Sequence, residues 1–195
     1  EIQVSEALQV KTLIKNCQTC SVSQKVSFID GIEYFSNLTN LQLTNHQITS
    51  IDIINTITTL ETINFATNSL ANFNIPNLTS LVSISLQNNY ISSFNFPISD
   101  NLLSINLNNN QISNINLFNY KNLQTVDLKN NFLETLDLIG LKHLTSVQIL
   151  NNPNLEHIFF INLVSDSPFP INFGIDSNVK YICVDEMDYS YALNA

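Results

Sequence analysis

Cys17 and Cys20, spaced C-x-x-C, are the pair in this chain best placed to do chemistry. A zinc site ordinarily takes four ligands, and no second C-x-x-C or paired His follows. His46, His143 and His157 are scattered along the sequence. The spacing therefore points to a local disulfide or two free thiols rather than to a metal. Cys183, far along the chain, is the odd thiol and is expected to stay free. No G-x-S-x-G, H-E-x-x-H or P-loop pattern occurs, so nucleophilic, zincin and phosphate-cradling chemistry have no starting point. Paired carboxylates for glycoside cleavage must flank a cleft. Asp185, Glu186 and Asp188 instead crowd the terminal tail without the spaced D-x-D-x-D-G loop of a calcium site. They read as a solvated acidic end. The expectation is no catalysis, no metal and no cofactor.

Charge narrows the partners. Seven Lys, no Arg and sixteen Asp or Glu give 7 − 16 = −9 over 195 residues. No Lys stands between Lys25 and Lys121, an interval that holds Asp30, Glu33, Asp52, Glu61 and Asp100. Such a surface repels phosphates, so nucleic acid and anionic membranes are poor partners. No apolar run reaches the roughly 20 residues that span a bilayer. The sequence opens at Glu1 with neither Met nor a signal peptide, as in a processed or trimmed product. Asn37-Leu-Thr39 and Asn77-Leu-Thr79 match the glycosylation triplet, a match that so many asparagines produce by chance.

The elements that position side chains emerge from a repeat. "LTNLQLTNHQITSIDI" begins at Leu38, and kindred segments begin at Leu60, Leu81, Leu102, Leu123 and Leu144. The first offset is 22 residues and the next four are 21. Six units in one register mean a solenoid, because each short unit buries its apolar side only against its neighbours. In the unit "LLSINLNNNQISNINL", the apolar positions are Leu102, Ile105, Leu107 and Ile112, and an Asn stands at Asn110.

This pattern, L-x-x-L-x-L-x-x-N-x-L, resembles the leucine-rich-repeat family. The resemblance implies a superhelix with a parallel β-sheet on its concave face. Units this short leave room only for extended or 3₁₀ segments on the convex face, as in bacterial repeats of the internalin type. The Asn-rich repeats and the "ICVDE" ending look most like secreted surface proteins of Bacteroidetes. One domain is expected, with an N-terminal cap at 1–37 and six repeats at 38–164. An insertion, a last strand and a C-terminal cap or tail follow at 165–195. In that ending, "VKYICV" restores the strand pattern from Val179.

Adjacent asparagines have different tasks in this register. Asn68, Asn89, Asn110, Asn131 and Asn152 point inward, where an amide can satisfy both N–H and C=O groups of the turn. His46 takes this place in the first unit and substitutes for Asn there. Asn45, Asn88, Asn109, Asn130 and Asn151 point outward at the strand edge, and Asn108 lies on the solvent face. Alternation puts Gln42, Asn64, Ser85, Asn106, Asp127, Gln148 and Cys183 in the central exposed column. The next column carries Thr44, Ala66, Gln87, Asn108, Lys129, Leu150 and Asp185. Tyr90 and Phe132 stand just after the inward Asn, two units and hence about 10 Å apart.

The resulting expectation is a non-catalytic recognition module, secreted or at the cell surface, that binds a protein or glycan. Its candidate ligand-binding residues are Tyr90, Phe132, Gln87, Asn88, Asn106, Asn108, Asn109, Asp127, Lys129 and Asn130. The alternative is a structural spacer in a larger adhesin or enzyme, with both rings merely covering neighbouring apolar side chains.

Overall fold

The computed structural model describes residues 4–96, 99–160 and 178–184. In chain order the strands are β1 (Thr12–Asn16), β2 (Asn40–Thr44), β3 (Thr62–Asn64), β4 (Asn72–Asn74), β5 (Ser83–Ser85) and β6 (Ser93–Asn95). They continue with β7 (Ser104–Asn106), β8 (Thr125–Asp127), β9 (Thr135–Asp137), β10 (Ser146–Gln148), β11 (His157–Phe160) and β12 (Tyr181–Val184). The first strand of each coil enters a seven-stranded sheet, β1-β2-β3-β5-β7-β8-β10. Every pairing in it is parallel and lies in the register that the repeat dictates, as in Ile84 beside Ile105. This is a parallel solenoid with little helix. Among the described residues, its α-helix is one turn, Val4–Ala7.

Alternation decides what each strand buries. Leu41, Ile63, Ile84, Ile105, Val126 and Val147 point inward and are almost wholly shielded, while their neighbours stay partly open. The convex half is built as the short unit requires, from a 3₁₀ segment at Asp52–Thr56 and short strands. Two small parallel sheets form there, β4-β6 and β9-β11-β12. Phe73 and Phe94 stack across the smaller one at 5.0 Å. Phe96 and Tyr120 extend this aromatic packing, with the Tyr120 hydroxyl donating to the Phe96 carbonyl at 3.1 Å. Burial pushes that phenol up to about 12.

At the N-terminal end β1 pairs with β2, from Thr12 beside Asn40 to Asn16 beside Thr44. The weak strand expected around Leu13 is therefore the first strand of the main sheet. Cys17 and Cys20 are joined in a disulfide with Cα atoms 5.0 Å apart, and Cys183 is free and exposed.

The last strand requires a correction. Sequence register placed Cys183 in the central column of the concave sheet. Instead β12 joins β11 on the convex side, with Tyr181 beside His157 and Cys183 beside Phe159. Both halves of a coil carry alternating apolar residues, so "YICV" fits either side, and the intervening insertion removes the period that would choose. Residues 165–177 of the insertion, and Asp185, Glu186 and Asp188, lie outside the described residues.

The inward asparagines form the expected ladder. Each Oδ1 accepts an N–H of the preceding coil at 2.9–3.1 Å: Asn68 from Ile48, Asn89 from Leu70, Asn110 from Ile91, Asn131 from Ile112 and Asn152 from Leu133. Each Nδ2 donates back to a carbonyl of that same coil, as Asn110 does to Leu86 at 3.1 Å. It also donates to its own turn, as Asn110 does to Leu107 at 3.0 Å. One amide thus serves three buried backbone groups that no sheet partner reaches.

His46 does half of this work. Its Nδ1 accepts the Val26 N–H at 3.2 Å, the equivalent bond in the first coil. Its Nε2 is buried with no bond of acceptable geometry. The ring's pKa is lowered, chiefly by burial and then by the Lys15 and Lys25 charges, with the Lys15 carbonyl opposing. A neutral His is therefore favoured by the fold.

Asn110→Ala strands the Ile91 N–H and leaves the Leu86 and Leu107 carbonyls with one amide donor each in place of two, and is expected to cost about 1–3 kcal/mol in denaturant melts. Asn108→Ala, at a half-buried site, should cost less than about 1 kcal/mol. Equal losses would contradict the register. The His46 pKa is lowered in the folded state, so its contribution is complete above the unfolded value of 6.5. It is lost as pH falls through the lower folded value, since the unfolded chain then binds the extra proton. His46→Asn should flatten the acid limb of the stability profile, measured as melting temperature against pH.

Candidate functional site

The solvent face of the main sheet is a set of straight columns, because every coil repeats the same alternation at about 4.8 Å. The first column is Thr12, Asn40, Thr62, Ser83, Ser104, Thr125 and Ser146, almost all hydroxyls. Thr125 donates to the Ser104 hydroxyl at 2.8 Å. The central column runs Ile14, Gln42, Asn64, Ser85, Asn106, Asp127 and Gln148. Its acids and amides secure the strand ends: Asn64 Oδ1 accepts the Ala66 N–H, Asn106 Oδ1 that of Asn108, and Asp127 Oδ1 that of Lys129, at 3.0–3.1 Å. With their oxygens so used, Asn64 and Asn106 offer the face their NH₂ donors.

Across these columns and the third, which holds Gln87, Asn108 and Lys129, the only charges are Asp127 and Lys129. They sit 3.5 Å apart and cancel. Asn108 is not simply turned to water as expected. It is half-buried, donates to Asp127 Oδ2 at 3.3 Å and accepts from Asn130 at 3.4 Å. The ion pair and this amide make one connected group.

Beyond the strand end lies a second asparagine row. Asn45, Asn88, Asn109, Asn130 and Asn151 all adopt left-handed backbone, with φ between 54° and 62°. Asn tolerates that conformation better than other residues with a Cβ. These outer amides also bond from coil to coil. Asn109 Nδ2 reaches Asn88 Oδ1 at 2.8 Å, Asn151 reaches Asn130 at 2.7 Å and Asn45 reaches Asn16 at 2.9 Å. Sequence reasoning placed them outward but missed this network; the recurring Asn two places after an inward Leu or Ile (Leu43, Leu86, Leu107, Leu128, Ile149) is the signal for it. Thr67 is the exception, a β-branched residue at φ 57°.

At the rim stand Tyr90 and Phe132, 57% and 48% exposed, with Gln111 between them in the sequence of coils. Their backbone N–H groups bond to Leu70 and Ile112 of the preceding coils, which fixes the base of each ring. Rim, outer row and columns thus bring the candidate residues onto one continuous surface. On the convex side His157 stacks on Tyr181 at 5.1 Å, a contact that no repeat position signals. Glu156 there pairs with Lys180 at 2.6 Å, and that bond lowers its pKa. Among the described residues no group of His, Cys, Asp or Glu could hold a metal ion.

A parallel sheet on one side, short 3₁₀ and extended segments on the other and a stacked inward Asn in five successive turns decide the architecture. The fold is a leucine-rich-repeat solenoid of the internalin type. The solenoid is similar to internalin C2 of Listeria monocytogenes, with a TM-score of 0.64 and 24% identity over 94% of this chain and 84% of that one. It is also similar to a leucine-rich-repeat protein of Leptospira interrogans (TM-score 0.61, 20% identity), covering 78% of this chain and 49% of that one. A Listeria internalin F gives 0.58 and 19% over 80% of this chain and 56% of that one. The chain thus spans about half the length of the last two. No family model and no curated relative matches the chain.

The solenoid's one non-Asn in the outer row yields a test. Thr67→Asn relieves a left-handed β-branched residue and lets the amide reach Asn45. A gain of about 1 kcal/mol is expected from thermal or urea melts, and a loss would show that the row adds nothing there.

Proposed function

We propose that this leucine-rich-repeat solenoid is a non-catalytic recognition module that binds a protein or glycan ligand through its concave face. The observation that carries the reading is the hydrogen-bonding strip, neutral in sum through the Asp127–Lys129 pair, on a chain of net charge −9, bordered by half-exposed Tyr90 and Phe132. A rigid sheet displays these groups, so little side-chain entropy is lost on binding. Gln87, Asn88, Asn106, Asn108, Asn109, Asp127, Lys129 and Asn130 supply the polar contacts, and the two rings the apolar ones. Shallow columns without a cleft support display rather than catalysis. The acidic balance argues against nucleic acid as ligand. No described helix is long and apolar enough to cross a membrane.

The setting we propose is secreted or cell-surface, as the repeat type of Bacteroidetes surface proteins suggests. The proposed organisation is an N-terminal cap at 1–37, repeats at 38–164 and a closing segment at 165–195. A spacer role in a larger adhesin or enzyme is the rival. It separates from recognition in a simple comparison. A Tyr90→Ala/Phe132→Ala double variant is expected to keep its melting temperature within about 2 °C, as surface changes do. It should lose binding to partners captured by the purified chain on a glycan array or from secreted protein fractions. Undiminished binding would move the site elsewhere.

A further inference from the structure

We infer that the concave face takes a neutral, extended glycan of equatorially linked pyranoses, laid across the strands from the Tyr90 coil to the Phe132 coil. The inference rests on the concave-face reading and specifies its ligand. Three features of the face select this chemistry.

Charge comes first. A peptide recognised by an acidic protein ordinarily brings Lys or Arg to carboxylates on the binding surface. Here the strip's one carboxylate, Asp127, is already matched by Lys129 at 3.5 Å and by Asn108 at 3.3 Å. A neutral ligand fits a neutral strip.

The hydrogen-bonding groups come second. The strip offers hydroxyls in one column (Ser83, Ser104, Thr125) and NH₂ donors in the next (Asn106), with Gln87 and Asn108 beyond. Gln87 Oε1 is shielded without a partner, an acceptor that a ligand hydroxyl satisfies once the side chain turns outward. Sugar hydroxyls both donate and accept, so they can meet all of these groups. A peptide backbone alternates its donors and acceptors along one line and cannot serve three different columns.

Spacing comes third. An equatorially linked pyranose chain advances by nearly one strand spacing per sugar, so each coil faces one ring. Successive sugars in such a chain are turned over, so the same apolar face recurs at every second sugar. Tyr90 and Phe132 are two coils apart, about 10 Å at the strand spacing of about 4.8 Å. The intervening coil carries Gln111 at the rim, an amide for the edge hydroxyls of the middle sugar. Apolar sugar faces stack on aromatic rings, and polar edges meet the amides.

The experiment is isothermal titration of the full chain with cellohexaose and mannohexaose. Maltohexaose, whose axial links coil the chain, and an acidic galacturonate oligomer serve as controls. Binding of at least one equatorially linked hexamer is expected, unchanged between about 0.05 and 0.5 M salt because no charge pairing is involved. Tyr90→Ala and Phe132→Ala should each weaken it about threefold to tenfold. Asn106→Ala should weaken it about fivefold, and Gln42→Ala, outside the spanned coils, should leave it unchanged. Melting curves verify that each variant is folded.

Binding only to maltohexaose or to the galacturonate oligomer overturns the inference, as does binding that Tyr90→Ala and Phe132→Ala leave intact. If no hexamer binds while concave-face variants abolish capture of a protein, the glycan is wrong and the recognition face stands. If those variants change no interaction at all, both readings fall.

Discussion

The structure depends on satisfying backbone groups at a buried turn that recurs in every coil. As the chain leaves the sheet and crosses toward the convex side, it strands an N–H on one coil and carbonyls on two. Water cannot reach them, and leaving one unpaired costs on the order of 1–3 kcal/mol. A primary amide accepts through its oxygen and donates two N–H bonds from the other end, which the single O–H of Ser or Thr cannot match. Asn68, Asn89, Asn110, Asn131 and Asn152 are all buried for this purpose. Because each amide bonds to the preceding coil, the ladder also fixes how coils stack. The apolar residues provide most of the burial energy, but they would tolerate sliding. The amides do not.

A second constraint follows from the first. To aim an amide inward at the turn, the residue before it must adopt left-handed backbone, and that conformation again selects Asn. The outer row, with φ of 54–62° at its five asparagines, is thus a consequence of the inner ladder. Its coil-to-coil bonds then add order at the edge of the exposed face. His46 and Thr67 show what happens where a residue meets only part of the demand. His46 accepts one bond and leaves a nitrogen unpartnered. The Thr67 hydroxyl accepts from Asn88 Nδ2 at 3.4 Å, but Thr67 bears its Cβ in a crowded conformation. Both lie in the first two repeats, toward the end where the sheet begins.

The same logic explains what the sequence made legible. The 21-residue spacing of Leu60, Leu81, Leu102, Leu123 and Leu144 fixes strand register across the whole main sheet, since one slip would turn each inward residue out. It also separates inward from outward asparagines: Asn110 accepts the buried Ile91 N–H, and Asn109 bonds to Asn88 at the exposed edge. The period failed where an insertion interrupts it: "YICV" carries apolar alternation that suits either side of the coil, and β12 took the convex one. Side-chain networks were less readable than the strands beneath them. That Asn106 secures the Asn108 N–H, and that Asn108 ties into Asp127, depends on rotamers that a period does not specify.

Division of labour within each repeat determines where specificity can reside. Inward leucines and isoleucines are bound by packing, the inner Asn by the turn and the outer Asn by its backbone angle. What remains free to differ from coil to coil is three columns and one rim position. Within them Ser85, Asn106 and Asp127 stand in one column, and Gln87, Asn108 and Lys129 in the next. Changes at these places leave the apolar core and the inner ladder intact, so they can occur without unfolding the solenoid. Apart from the strand-end bonds of Asn64, Asn106 and Asp127, the face is therefore the part of the chain whose composition the core and the ladder do not fix. On a chain of net charge −9 this surface is neutral, hydroxyl-rich and edged by two exposed rings, and that composition is what the recognition proposal rests on.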